Sequence, residues 1–262
     1  MLPHSRNQQI SRRLSVVVLS QLAHRFARFC GYDFRRYSKE HWLRPRRAHI
    51  LQTYDINMVL DVGASTGSYA LELRQDGYRG HIMSFEPLSR EYAILGRRTA
   101  SDPLWRCANV AVGDTSTESI INVSKHRTSS SLLPMTSHHI TAMPGAAYVD
   151  TQSVRVRRLD TLFPDMGPEE RIYLKADVQG YEKQVLDGAK GILYHVYVLE
   201  LELSLTPLYE GATPWFEMLD YAQHLGFSLV SIAPVFSDPE TGFLLQVDTI
   251  FAKSPISGAQ GG

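Results

Sequence analysis

The chain has 262 residues, 44% of them apolar and 21% charged, with a formal net charge of zero. This is globular composition at the length of one ordinary α/β domain with an extension, and it excludes a disordered or fibrous chain. Two cysteines, Cys30 and Cys107, stand far apart in no metal-binding spacing, which excludes a disulfide framework and a zinc signature and fits a reducing cytoplasm.

The zero net charge conceals an asymmetry. Residues 1–50 carry eleven Lys/Arg against Asp33 and Glu40, so the remainder is equally acidic. A basic arm ahead of an acidic body predicts an anionic partner, a membrane surface or a nucleic acid. Within the arm, Leu14, Val17, Val18, Leu22, Phe26 and Phe29 share one helical face. The longest apolar run there is Val16–Leu19, too short to span a bilayer, and no signal-peptide cleavage pattern follows. The prediction is a basic helical extension over 1–50, packed on the body or lying on a membrane.

From Met58 onward strands and helices alternate. Strands are predicted at 59–62, 81–85 and 106–112, with helices at 69–75 and 91–98 between them. Residues 124–150 are polar and rich in Ser and His, and read as an insertion or lid. A short edge strand is predicted at 154–159, central strands at 172–177 and 196–203, and helices at 182–189 and 215–225. Runs 228–232 and 244–251, separated by the turn DPETG, read as an antiparallel pair. The whole predicts a mostly parallel sheet with helices on both faces, over 51–254, and a glycine-rich tail at 255–262.

The first strand feeds DVGASTG, with glycines only at 63 and 67. The dinucleotide fingerprint needs a third glycine so that a pyrophosphate can approach the backbone. A nicotinamide enzyme is therefore disfavoured, as it is by the closing hairpin. S-adenosylmethionine has no phosphate, and its amino-acid end suits loop amides and a carboxylate such as Asp61. Glu86, in SFEP, lies 25 residues later at the end of the neighbouring strand, where an acid accepts from both ribose hydroxyls.

Chemistry is predicted at the ends of the next two strands. Lys175 and Asp177 share one face of IYLKAD, and Glu200 and Glu202 one face of VYVLELELS. Such charges are costly on core strands unless paired or used. The reading is a site that orients a substrate hydroxyl and takes its proton, with a divalent cation (Mg²⁺) left open. His126, His138 and His139 add candidates that titrate near neutrality, and Ser129, Ser130 and Ser131 candidates for hydroxyl binding.

Seven segments in order, VLDVGASTGSYALELR, GHIMSFEP, NVAVGD, SSSLL, LKADVQGYEKQVLDGA, LELSLTPLYEG and VDTIFAK, resemble the FkbM family of S-adenosylmethionine-dependent methyltransferases over about residues 55–253. The resemblance implies the class I methyltransferase (Rossmann-like) fold, a seven-stranded sheet with an antiparallel last strand. It implies methyl transfer to an oxygen, commonly a sugar or polyketide hydroxyl. By position, Asp61, Gly63, Ala64, Ser65 and Gly67 would hold the methionine end. Glu86, with Pro87 behind it, would take the ribose, and Asn109 and Val110 the adenine. Asp177 and Glu202 would face the methyl group, with Asp177 or His139 as base and Glu202 and Lys175 orienting the acceptor. The chain departs from the family at Ser65, often Asn, and at Ala176, often a larger apolar residue. A saccharide or glycolipid acceptor at the inner membrane face is expected, with homodimerisation left open. The alternatives are a non-catalytic binding domain, against which the full acid set argues, and a nucleic-acid methyltransferase, against which the acidic body argues.

Overall fold

A parallel strand covered on both faces must be apolar along most of its length, and the chain supplies such runs at regular spacing. The computed structural model describes residues 43–254. They open with α1 (Leu43–Thr53) and β1 (Met58–Val62), which is buried from its second residue onward. Then come α2 (Ser68–Gln75), β2 (His81–Phe85), α3 (Ser89–Thr99) and β3 (Trp105–Ala108). The middle of the chain gives β4 (Ala111–Val112), β5 (Thr117–Ser124), α4 (Ser137–Ala142), β6 (Tyr148–Arg157) and α5 (Leu159–Leu162). The last part gives β7 (Ile172–Ala176), α6 (Glu182–Gly188), β8 (Val196–Ser204), α7 (Trp215–His224), β9 (Phe227–Ser237) and β10 (Leu244–Lys253).

Seven strands form one sheet in the order β3-β2-β1-β7-β8-β10-β9. The first five are mutually parallel, and β10 runs antiparallel to both of its neighbours. This is the class I methyltransferase arrangement, with the closing hairpin folded back so that the last strand lies inside the sheet. Alternation of side chains along each strand makes two cores. On one face Leu60, Leu174 and Leu199 meet Val185 of α6 and Met218 of α7. On the other, Val59, Tyr173 and Val198 meet Leu73 of α2 and Ile50 and Leu51 of α1.

The predicted strand over 106–112 is in fact two. It breaks at Asn109, so that β3 stays in the main sheet while β4 joins a second, three-stranded sheet, β4-β6-β5. There β5 and β6 pair antiparallel, and residues 125–147 hang between them. The strand β5 escaped the sequence reading, and β6 is longer and earlier than the predicted 154–159. The boundary predicted at residue 50 falls inside α1, which packs on the sheet through Arg47, Ile50 and Leu51. The amphipathic segment 14–29 and the tail 255–262 lie outside the described residues. Among those described, no helix is long and apolar enough to cross a membrane.

Candidate active site

A cavity opens over the carboxyl ends of β1, β2 and β7. Its floor is the turn after β1. The Gly63 and Ala64 amides donate to the Phe85 carbonyl at 3.1 and 3.0 Å, pulling the turn back over β2. Gly63 has φ +80°, and a Cβ there would lie 1.9 Å from the Asp177 carbonyl oxygen, so only glycine fits. Ser65, also left-handed at φ 47°, turns its amide onto Glu86 Oε2 at 2.7 Å, while the Leu88 amide donates to Oε1 at 2.8 Å. Burial pushes the Glu86 carboxyl up to about 7, against the opposing pull of those two amides.

Above Glu86 the wall is apolar, with Leu88, Val110, Ile121 and Leu132 facing the cavity. Arg127, from the segment between β5 and β6, closes this side through a bidentate pair with Glu91 at 2.9 and 2.8 Å. Such a wall beside a carboxylate suits a flat heterocycle joined to a diol. Of the residues expected to hold cofactor or acceptor, Gly63, Ser65, Glu86, Pro87, Val110 and Asp177 line the cavity. The other expected cofactor contacts lie behind it. Asn109 donates from Nδ2 to the Glu86 and Pro87 carbonyls at 2.8 and 2.9 Å, and so fixes the end of β2. Ala64 is packed in the core beneath the loop. Gly67 makes room for the Trp105 ring, which would stand 2.8 Å from an added Cβ.

The charges predicted on β7 and β8 do lie on one face of the sheet, but they divide into separate groups. Asp61 is fully buried under the loop, accepting from Ser84 Oγ at 3.1 Å and lying 3.5 Å from Lys175 Nζ. Burial raises its carboxyl, with Lys175 and Ser84 opposing. It therefore reaches the cavity only through Lys175, whose ammonium is also 3.5 Å from the Gly63 carbonyl and 3.4 Å from Asp177. Burial alone would lower Lys175, but the Asp177 and Asp61 carboxylates outweigh it and hold it above the usual lysine range.

Glu200, expected at the site, faces α1 instead. It accepts from Arg47 Nε at 2.9 Å and Nη2 at 2.5 Å, from Tyr69 at 2.7 Å and from Tyr173 at 2.5 Å. Burial works to raise it; Arg47 and the two hydroxyls outweigh burial and keep it below the usual range.

Glu202 sits one step nearer the cavity, accepting from Gln179 and Gln246 side-chain amides at 2.5 and 2.9 Å. Asp248 of β10 stands opposite it in register. Burial, then Asp177 and Asp248, hold Glu202 well above the carboxylate range. Burial, with Glu200 and Asp177, pushes Asp248 up to about 7.

Among the charges of β7 and β8 and the turn after β7, Asp177, with a third of its side chain exposed, is the acid that reaches the cavity. The turn behind it is held by Glu182, whose Oε1 accepts the Val178 and Gly180 amides at 3.0 and 3.2 Å; burial pushes that carboxyl up to about 7.

His139 does not line the cavity. It is 1% exposed, edge-on to Tyr209 at 5.2 Å and near Phe236, and burial pushes its imidazole down to about 4. A ring so placed is a poor proton acceptor. The serines act as pins: Ser131 Oγ donates to the Gln179 carbonyl at 2.7 Å, and Ser130 Oγ accepts the Ser124 amide at 3.0 Å. Sequence reasoning passed over Gln179, a non-glycine residue at φ 58°, and Arg127. Arg127 meets Glu91 from α3, and Gln179 meets Glu202 from β8, both distant along the chain. Among the described residues, no group of three or more His, Cys, Asp or Glu is arranged to hold a metal ion, so no side chain is assigned to the divalent cation.

Comparison with known proteins places this geometry. The model for the methyltransferase FkbM domain matches residues 61–229. A relative from Sinorhizobium fredii (strain NBRC 101917 / NGR234), the 2-O-methyltransferase NoeI, is 27% identical over 183 residues, covering 68% of this chain and 74% of its own. Among solved structures, the methyltransferase FkbM from Methylobacillus flagellatus KT aligns at TM-score 0.46 and 15% identity over 74% of this chain. This chain spans only 44% of that one. The 1,6-didemethyltoxoflavin-N1-methyltransferase of Burkholderia thailandensis aligns at TM-score 0.42 and 11% identity, over 97% of this chain and 93% of its own.

Proposed function

The chain belongs to the FkbM methyltransferase family, and with that as premise we propose that it is an S-adenosylmethionine-dependent O-methyltransferase acting on a sugar hydroxyl, in a glycolipid or cell-envelope glycan. The observation that carries the reading is the cavity itself, which sets an apolar slot and Glu86 at one end and the Asp177 carboxylate at the other. The residues fit the cofactor: Leu88, Val110, Ile121 and Leu132 suit an adenine, Glu86 a ribose diol, and the Gly63–Ser65 turn an amino-acid end. When bound, S-adenosylmethionine supplies a methyl group on a sulfonium, already electrophilic and with a neutral thioether as its leaving group.

What remains for the protein is alignment, exclusion of water and removal of one proton. Alignment of reacting groups supplies about 7–11 kcal/mol where the geometry is near attack, and a general base about 10²–10⁴-fold. Asp177 Oδ2, whose nearest partner is Lys175 at 3.4 Å, takes the proton of the acceptor hydroxyl. Lys175 holds both Asp177 and the glycine turn, and so fixes base and cofactor loop relative to each other. The oxygen acceptor accords with the 2-O-methyltransferase relative. The excess of Lys/Arg in residues 1–50 accords with an acceptor carried on an anionic membrane surface.

The test has two stages. Calorimetric titration with S-adenosylhomocysteine, and with NADH in parallel, is expected to show binding of the former alone. Labelled methyl donor is then offered with a panel of methyl glycosides and glycolipids. Asp177→Asn is expected to retain S-adenosylhomocysteine binding and lose about 10²–10⁴-fold in turnover. A folded protein that binds no S-adenosylhomocysteine would refute the reading, and unchanged turnover in Asp177→Asn would refute the role of that acid.

A further inference from the structure

Gln179 follows Asp177 by two residues, in left-handed backbone that non-glycine side chains seldom adopt. It is 8% exposed, and every polar atom of its side chain is engaged. Nε2 donates to Asp177 Oδ1 at 2.8 Å and to Glu202 Oε2 at 2.5 Å. Oε1 accepts from the Tyr209 hydroxyl at 2.6 Å, and the main-chain carbonyl accepts from Ser131 Oγ at 2.7 Å. The amide's orientation follows from Asp177, since the reverse would set its oxygen against that carboxylate. One residue thus joins the ends of β7 and β8 to the loop after β8 through its side chain, and to the insertion 125–147 through its main-chain carbonyl.

We infer that Gln179 is a positioning residue of this site, the group through which the insertion and the loop after β8 hold the Asp177–Glu202 carboxylate pair in place. The inference rests on the methyl-transfer reading above for its function, though not for its geometry. Only an amide serves here. Its two N–H bonds face two acids and its oxygen faces a donor. A glutamate in the same place would set a third carboxylate beside Asp177 and Glu202. With Nε2 on Oδ1, Asp177 keeps Oδ2 for the acceptor. The Tyr209 and Ser131 bonds make that orientation depend on the insertion being seated.

The pair is surrounded by charge. Lys175 lies on the same strand, Asp61 on β1, Asp248 on β10 and Glu182 at the start of α6, with the Tyr209 hydroxyl above. Removing the amide donors takes the Gln179 hydrogen bond from Asp177 Oδ1 and leaves Glu202 Oε2 with Gln246 alone.

The test compares the full-length protein with Gln179→Met, Gln179→Glu and Tyr209→Phe, each with S-adenosylhomocysteine present. The readout is the ¹³C carboxyl titration of the Asp177–Glu202 pair by NMR. Gln179→Met is expected to move the pair's titration upward by about one to two pH units, the size expected for a lost hydrogen bond to a charged group. Gln179→Glu should move it at least as far. Tyr209→Phe, which deletes one hydroxyl and fills the same space, should move it less and should speed amide hydrogen exchange in residues 127–133. Titration unchanged within about 0.3 units in Gln179→Met would overturn the inference, as would unchanged exchange in Tyr209→Phe. If Gln179→Met fails to fold, Tyr209→Phe carries the test alone. Loss of S-adenosylhomocysteine binding in the wild type would sink the methyl-transfer reading while leaving the titration to judge Gln179.

Discussion

Arg47 is the point at which α1 is tied to the sheet, and its replacement yields a stability change that can be worked out in advance. The guanidinium is buried, paired with Glu200 through Nε and Nη2 and stacked 4.5 Å from the centre of the Tyr69 ring. Arg47→Met keeps most of the volume and removes the charge, leaving Glu200 with the Tyr69 and Tyr173 hydroxyls alone. Breaking a buried pair in this way costs about 3–5 kcal/mol. Protonation of Glu200 sets a ceiling. Neutralising a carboxyl of ordinary pKa at pH 7 costs about 3.7 kcal/mol, and at pH 5 about 1 kcal/mol.

The sign follows from linkage. In the wild type Glu200 is held below its ordinary value, so the pair's contribution is present above that value and is lost only as pH falls through the lower folded one. In the variant Glu200 is protonated on folding. The destabilisation should therefore be about 4 kcal/mol at pH 7 and fall by about 1.4 kcal/mol per pH unit toward pH 5. Urea titrations followed by far-UV circular dichroism at pH 5, 6 and 7 measure it directly. A deficit that does not change with pH, or a variant as stable as the wild type at pH 7, would refute the reasoning.

Two further outcomes concern the cavity. Gly63→Ala combines left-handed strain with a clash against the Asp177 carbonyl, whereas Gly77→Ala, at φ 95° with open space around it, carries strain alone. Both should lower the melting temperature, but only Gly63→Ala should weaken S-adenosylhomocysteine binding, by about tenfold or more. On the proposed reading Glu86 accepts from both ribose hydroxyls, for which it must be ionised, and burial has pushed it up to about 7 in the free protein. Calorimetry should therefore show affinity level above pH 7 and falling toward tenfold per unit below it, and Glu86→Gln should be weaker and flat with pH.

The fold was legible because the central strands are buried on both faces and their apolar runs cannot be mistaken for surface. The glycine turn was legible for a related reason: its spacing is set by backbone approach, which sequence records. What stayed hidden depended on neighbours far along the chain. The strand β5 presents Thr117, Glu118 and Ser119 at its exposed start and reads as loop. Glu200 and Glu202 are indistinguishable in LELEL, yet one meets Arg47 from α1 and the other Gln179 from the β7 turn. His138 and His139 are likewise adjacent, and only the packing of Tyr209 and Phe236 decides that the second is in the core. Asn109 looked like a ligand contact because it ends a strand at the right level. Its amide is used by two carbonyls of the next loop.

The place of β10 sets a timetable for the nascent chain. β9 is bonded to the sheet only through β10, and β8 has β10 as its partner on that side. At about 5–20 residues per second, Leu244 leaves the ribosome roughly 2–8 s after Ser204, the end of β8. Throughout that interval β8 is a long, apolar, unpaired edge, the kind that recruits a neighbouring chain. β7, β1, β2 and β3 can assemble meanwhile, but Glu202 gains Gln246, and Leu201 gains the Thr249 hydroxyl, only when the last ten-residue strand slides in. Completion of the hydrogen bonds around Glu202 and closure of the sheet are thus one late event.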